Sequence, residues 1–212
     1  MQLINSRYRI NRIYRTYDHS VLYMVHDLWN NNDELLLKLF SIDSNNQSLF
    51  NELTETFIEI KNIRHKCIIP NHSLDIVSSI DNKSVTVRQF FYTFDYLKGT
   101  KLSDYIGKMG INQILSVVYQ LLELASYMAF RGFTYKYINP DSIYVVDDNG
   151  RFNIKLIDFA TIYEIMFKNL YDDEYNLFTA PEIRMKLNDS RIGSDVYSIG
   201  MVFKSMLSGC LP

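Results

Sequence analysis

Glycine is scarce in this chain, with 8 in 212 residues. Loops that cradle phosphates need backbone that a ligand can approach closely, and glycine supplies it, so few such loops are expected. Cysteine is scarcer still. Cys67 and Cys210 stand far apart with no His or Cys cluster beside either. That excludes a disulfide framework and a zinc site, and it fits a reducing compartment, the cytoplasm. An excess of positive charge is also missing: 22 Lys and Arg against 24 Asp and Glu leave a formal net charge of -2. Without a basic balance, a nucleic-acid surface is not expected. The opening MQLINSRYRI has no charged segment leading into an apolar stretch, so no signal peptide is expected. Nor is any apolar run expected to reach the roughly 18–20 residues that cross a bilayer.

What the chain does have is 47% hydrophobic and 14% aromatic residues, including 16 Tyr. That is enough for one large domain or two small lobes. Residues 8–40 alternate strand-like runs (YRINRIY, VLYMVHDL, ELLLKLF) with polar breaks, and Asn30-Asn31-Asn32-Asp33 reads as a hairpin turn. Residues 47–64 place Leu49, Leu53, Phe57, Ile60 and Ile63 at helical spacing. Strand periodicity returns over 75–80 and 85–97 around a turn at 81–83. After Lys98-Gly99-Thr100 the character changes. Residues 111–131 predict a long helix, apolar over most of its circumference and therefore buried, with Gly132 as its stop. Two short strands around 143–146 and 152–157 flank the Asp147–Gly150 turn. Residues 160–180 read as irregular and carry an acidic tract at 171–175, and 194–208 read as a last apolar helix.

This order of elements, with several short motifs, resembles the protein kinase fold. Leu156-Ile157-Asp158-Phe159-Ala160 looks like the metal-binding D-F-G with Ala for Gly, and Thr179-Ala180-Pro181-Glu182 looks like the A-P-E segment. The run Ser194 to Gly200 resembles the start of the helix that anchors the large lobe, and Leu35-Leu36-Leu37-Lys38 stands where V-A-I-K belongs. The resemblance implies an α+β, bilobal fold: a β-rich N-lobe with one helix over 1–95, a linker at 96–100, and a mainly helical C-lobe over 101–212. That C-lobe looks truncated after the helix beginning near Asp195.

Phosphoryl transfer in that family needs a phosphate cradle, a positioning lysine, a magnesium site and a carboxylate base. The resemblance puts the cradle glycines on Arg15, Tyr17 and Ser20, so the hairpin reads as a plain one. Lys38 matches the lysine and Glu55 is its expected partner. Asp158 is the would-be metal ligand, whose companion Asn is replaced by Ser142, a poorer magnesium ligand. Laid on H-R-D-L-K-P-E-N, residues 135–142 put Tyr137 at the catalytic Asp and Asn139 at the loop Lys. A phenol titrating near 10 is a poor base at neutral pH. Leu36, Tyr144 and Phe94 are expected to fill the volume of a purine. Tyr135, Phe159, Ile60, Glu182 and Asp195 are expected to be structural.

These residues imply a catalytically impaired, pseudokinase-like regulatory or scaffolding module. Its partner would be a protein or another domain of the same polypeptide, with no nucleic acid and no membrane span. No cofactor is expected, ATP and magnesium entering only under two alternatives. One is a weak or atypical ATP-dependent Ser/Thr kinase; the other is an ATP sensor without turnover.

Overall fold

The computed structural model describes residues 2–16, 20–43, 51, 54–55, 57–58, 61–86, 89–135, 138–156, 177–185 and 192–211. The chain forms two compact units, one of residues 1–64 with 69–97, the other of residues 65–68 with 98–212.

The first unit is built from β1 (Leu3–Ile4), β2 (Tyr8–Thr16), β3 (Ser20–Asp27), β4 (Asp33–Asp43), β5 (Asn71–Ile76), β6 (Ser79–Ile80), β7 (Lys83–Ser84) and β8 (Gln89–Asp95). Their order in the sheet is β5-β8-β4-β3-β2-β1-β6-β7, antiparallel throughout. β5 and β6 are only two residues apart in sequence, yet they pair at opposite sides of that order. The sheet therefore rolls until its ends meet at residues 76–79. There Val77 N–H donates to Gln89 C=O at 2.8 Å, and Asn5 Oδ1 accepts Ser78 N–H at 2.8 Å. Ile4, Tyr8, Val25, Leu35, Leu37, Val77 and Phe91 fill the interior of this roll.

Tight turns make the roll possible. Asn31 and Asn32 take φ of 48° and 62°, and Asp81 and Asn82 take 49° and 62°. Asn and Asp tolerate this left-handed region better than other non-glycine residues. That is how a glycine-poor chain builds hairpins. Between 51 and 61 the described residues 51, 54, 55, 57, 58 and 61 are helical.

The second unit holds a three-stranded sheet of β9 (Thr100–Lys101), β10 (Ile143–Asp148) and β11 (Arg151–Leu156), in the order β11-β10-β9. It also holds α1 (Ile111–Phe130), the single turn α2 (Pro181–Arg184) and α3 (Ile192–Ser208). α1 packs on α3 and β11 through Ile114, Val117, Leu121, Leu124, Ala125 and Met128, spaced three and four apart. Gln113 Oε1 accepts Gly110 N–H at 2.9 Å at its start. At its end Gly132 adopts φ 75° and its N–H bonds Ala129 C=O at 3.0 Å.

Three sequence expectations are corrected here. α1 is not buried over most of its circumference, because Ile111, Leu115, Tyr119, Leu122 and Phe130 are exposed; α3 and β11 cover only one side. By length and composition α1 is also apolar enough to cross a bilayer, although no such run was expected; the few polar residues along it are uncharged apart from Glu123. The last helix begins at Ile192, not at 194, so Ser194 and Asp195 lie inside its first turn.

Candidate functional site

In the first unit, β4 is apolar on both faces. Leu35, Leu37 and Leu39 point into the rolled sheet, and Leu36, Lys38 and Phe40 alternate onto the other face. On that face Leu36 lies between Met24 and Phe94 in register, and Lys38 between Leu22 and Tyr92. Phe40 and Tyr92 stack at 5.9 Å, Tyr92 and Phe94 at 5.3 Å, and Phe57 meets Tyr92 edge-on at 6.5 Å. Lys38 is 0% exposed, so it does not snorkel to solvent. Its Nζ lies 5.7 Å from the Phe40 ring centroid, within cation–π range. Glu55 is exposed on the helical segment, and no ion pair joins it to Lys38 among the described residues. The partner expected for that lysine is therefore not supplied by Glu55, because its carboxylate lies on the solvated side of the helix.

The hairpin of β2 and β3 pairs Arg15 with Leu22 and Thr16 with Val21, after two irregularities between Ile10 and Arg12 and between Ile13 and Arg15. Arg15 sits in regular strand pairing, and Ser20 is buried opposite Phe40. Of the three cradle positions, Tyr17 lies outside the described residues.

In the second unit, the loop preceding β10 closes on itself. Asn139 Oδ1 accepts the backbone N–H groups of Asp141 at 2.9 Å and Ser142 at 3.0 Å. Ser142 Oγ accepts Asn139 N–H at 3.1 Å and donates to Asn139 C=O at 2.8 Å. The two side chains thus hold each other's backbone in an Asx-type turn. Both are buried, Asn139 to 4% and Ser142 to 5% exposure. Asp141 faces away from this ring, and its Oδ1 accepts Lys101 Nζ at 3.1 Å and Ser103 Oγ at 2.7 Å.

The loop is tied to α3 from its other end. Tyr135 N–H donates to Asp195 Oδ2 at 2.9 Å, with Asp195 1% exposed. The carboxylate sits in the first turn of α3, where the helix dipole favours negative charge. Glu182, on α2, accepts Ser194 Oγ at 2.5 Å. Tyr144 is buried on β10, opposite Lys155 of β11 and Lys101 of β9.

A rolled antiparallel sheet and a helical unit carrying a short β9–β10–β11 sheet, with this loop between α1 and β10, superimpose on solved kinase domains. The Mycobacterium tuberculosis PknI kinase domain matches with a TM-score of 0.73 at 16% identity, over 99% of this chain and 77% of that one. The fold is protein kinase-like. No family model matches the sequence. Curated relatives include CBL-interacting serine/threonine-protein kinase 5 of Arabidopsis thaliana, 27% identical over 60% of this chain and 29% of that protein. The probable serine/threonine-protein kinase KIN1 homolog of Encephalitozoon cuniculi is 27% identical over 64% of this chain and 24% of that protein. The chain thus spans between about a sixth and a third of the length of the curated relatives it matches.

Kinase relatives imply ATP and magnesium for an active domain, and the neutral Asn139 and Ser142 of the described loop do not fit them. Ser142, which the resemblance sets at the companion metal ligand, has its proton and one lone pair already used inside the turn. Asn139, which the resemblance sets at the phosphate lysine, is a neutral amide whose oxygen holds two backbone N–H groups. Among the described residues no three His, Cys, Asp or Glu side chains group as a metal site. Asp158, Tyr137, Phe159 and Ile60 lie outside the described residues.

Three contributors went unrecognised in the sequence. Lys101 and Ser103, which hold Asp141, are some 40 positions away from it and share no motif with it. Gln120 is the third. Its Oε1 accepts Ile154 N–H at 3.1 Å and its Nε2 donates to Phe152 C=O at 2.8 Å, so a helix side chain completes the open edge of β11. A polar side chain between Tyr119 and Leu121, in the most apolar part of α1, was the available signal.

Proposed function

We propose that this kinase-like domain is catalytically impaired and acts by binding a protein partner or another domain of the same polypeptide. The observation that carries this reading is the closed Asn139–Ser142 ring. Side chains that would face a phosphoryl group and a metal are turned onto the loop's own backbone, and neither bears a charge. Tyr135 and Asp195 support the same reading, since their bond holds the loop's frame without any chemistry. Free thiols at Cys67 and Cys210 support a reducing compartment such as the cytoplasm.

The test is a thermal-shift titration with ATP, with and without magnesium, alongside radiolabelled autophosphorylation. A ligand that binds the folded state raises the melting temperature. The expected result is no magnesium-dependent rise and no incorporated label. Label that vanishes in both Lys38→Ala and Asp158→Asn would overturn the proposal in favour of an atypical Ser/Thr kinase. A rise with ATP but no label would leave an ATP sensor.

A further inference from the structure

Residues 65–68 belong to the second unit, although the chain on both sides of them belongs to the first. Cys67 C=O accepts Leu156 N–H at 2.7 Å, and Ile68 pairs parallel with Leu156. The segment thus covers the last position of the β11 edge whose Ile154 N–H is taken by Gln120. A histidine shapes it. His65 Nδ1 accepts Cys67 N–H at 3.2 Å, and His65 C=O accepts Ile68 N–H at 3.0 Å. A backbone N–H can only donate, so this bond requires Nδ1 to be unprotonated, with the ring hydrogen on Nε2. The imidazole is half-buried against the Tyr127 ring of α1, with centroids 5.0 Å apart.

We propose that His65 is a proton-operated latch. With the imidazole neutral, the 65–68 turn is closed and Cys67 C=O is aimed at Leu156. With the imidazole charged, Nδ1 becomes a donor facing the Cys67 N–H donor, and the turn lets go of β11.

The surroundings make the charged state costly. Lys66 is the next residue in the chain, Lys155 of β11 donates to Lys66 C=O, and Arg131 of α1 lies over the Tyr127 ring at 5.4 Å. Among the described residues, Glu123 of α1 is the acidic group that faces the ring. Lys66 already pairs with that carboxylate at 2.6 Å. Burial, joined by Lys66 and Lys155 and opposed by Glu123, holds the imidazole below its ordinary range. Burial pushes the Cys67 thiol up to about 11, so that group stays neutral throughout. A histidine lowered in the folded state leaves the unfolded chain holding more protons. The closed turn is therefore fully stable above about pH 6.5 and loses stability as pH falls through the folded value.

Histidine NMR and amide exchange on the full chain, between about pH 7.5 and pH 5, test the latch. The expected result is a His65 ring that titrates below about 6.5, with the Cys67 amide resonance following the same curve. Protection of Leu156 N–H, corrected for the intrinsic pH dependence of exchange, should fall roughly fivefold or more through that titration, as the loss of one hydrogen bond implies. Ile154 N–H, on the same edge but held by Gln120, should keep its protection. His65→Asn offers an uncharged oxygen to the N–H two residues on, so in that variant Leu156 should stay protected at pH 5. The wild-type amides decide the matter even if that variant folds poorly. A His65 titration that leaves Cys67 and Leu156 unmoved would overturn the proposal. So would equal losses at Ile154 and Leu156, or a pH-dependent loss at Leu156 that persists in His65→Asn.

Discussion

Placing in the loop the two residues that the kinase resemblance expects, Asn139→Lys with Ser142→Asn, should destabilise the domain and bring no phosphoryl transfer. The wild-type ring contains four side-chain hydrogen bonds. Each contributes about 1 kcal/mol net when made in a buried setting. Ser142 N–H keeps a main-chain bond to Asn139 C=O at 3.1 Å, so one of the four is largely redundant, leaving about 3 kcal/mol. Placing an ammonium at a site only 4% exposed adds a desolvation cost, while a new Asn at 142 could recover one bond. The net expectation is about 2–4 kcal/mol, or roughly 5–15 °C in melting temperature for a chain of this size. Urea unfolding followed by circular dichroism measures it. A double variant that melts within a degree of wild type, or that gains stability with magnesium and ATP, would show that these side chains are not committed to the loop. The ring would then be incidental.

Other expectations follow from single contacts. Gln120→Leu keeps the volume but leaves Ile154 N–H and Phe152 C=O without their side-chain partner; it should cost about 2–4 kcal/mol and speed amide exchange at Ile154, and unchanged exchange there would refute the edge-completing role. Thiol labelling of the native protein should find one fast group, the exposed Cys210, while burial of Cys67 pushes its thiol up to about 11 and confines its reaction to unfolding. Two fast equivalents would contradict that burial. Arg7 binds Asp27 through two bonds, Nε to Oδ1 at 2.8 Å and Nη2 to Oδ2 at 2.6 Å, and the hydrogen bond from Arg7 holds the carboxyl below its usual range. A depressed carboxyl contributes stability above its unfolded pKa of about 4 and loses it as pH falls through the folded value. Asp27→Asn should therefore flatten the loss of urea stability between about pH 5 and pH 2, and an unaltered slope would dismiss the pair as a contributor.

Much of the architecture was readable from local chemistry. Asn and Asp pairs marked hairpins because they tolerate left-handed backbone, which is what Asn31, Asn32, Asp81 and Asn82 adopt. The apolar run over 111–131 marked α1, and Gly132 marked its end. The loop's content was also readable: where the resemblance expects a lysine and an Asn, the chain carries the neutral Asn139 and Ser142.

Other features needed the fold, because each depends on what comes near in space from far away in sequence. Leu36 and Lys38 look alike as strand residues, and only burial of both faces of β4 excludes a snorkelling lysine. Nothing local told that Ser142 and Asn139 would turn onto each other's backbone, that Ser194 would donate to Glu182, or that Gln120 would finish a sheet edge. Apolar periodicity told that α1 could be buried all round. Whether it is depends on how many neighbours arrive, and α3 and β11 cover one side only. Sequence determined which residues can bond and how they alternate; tertiary structure decided which of those bonds are made and which apolar face was left open.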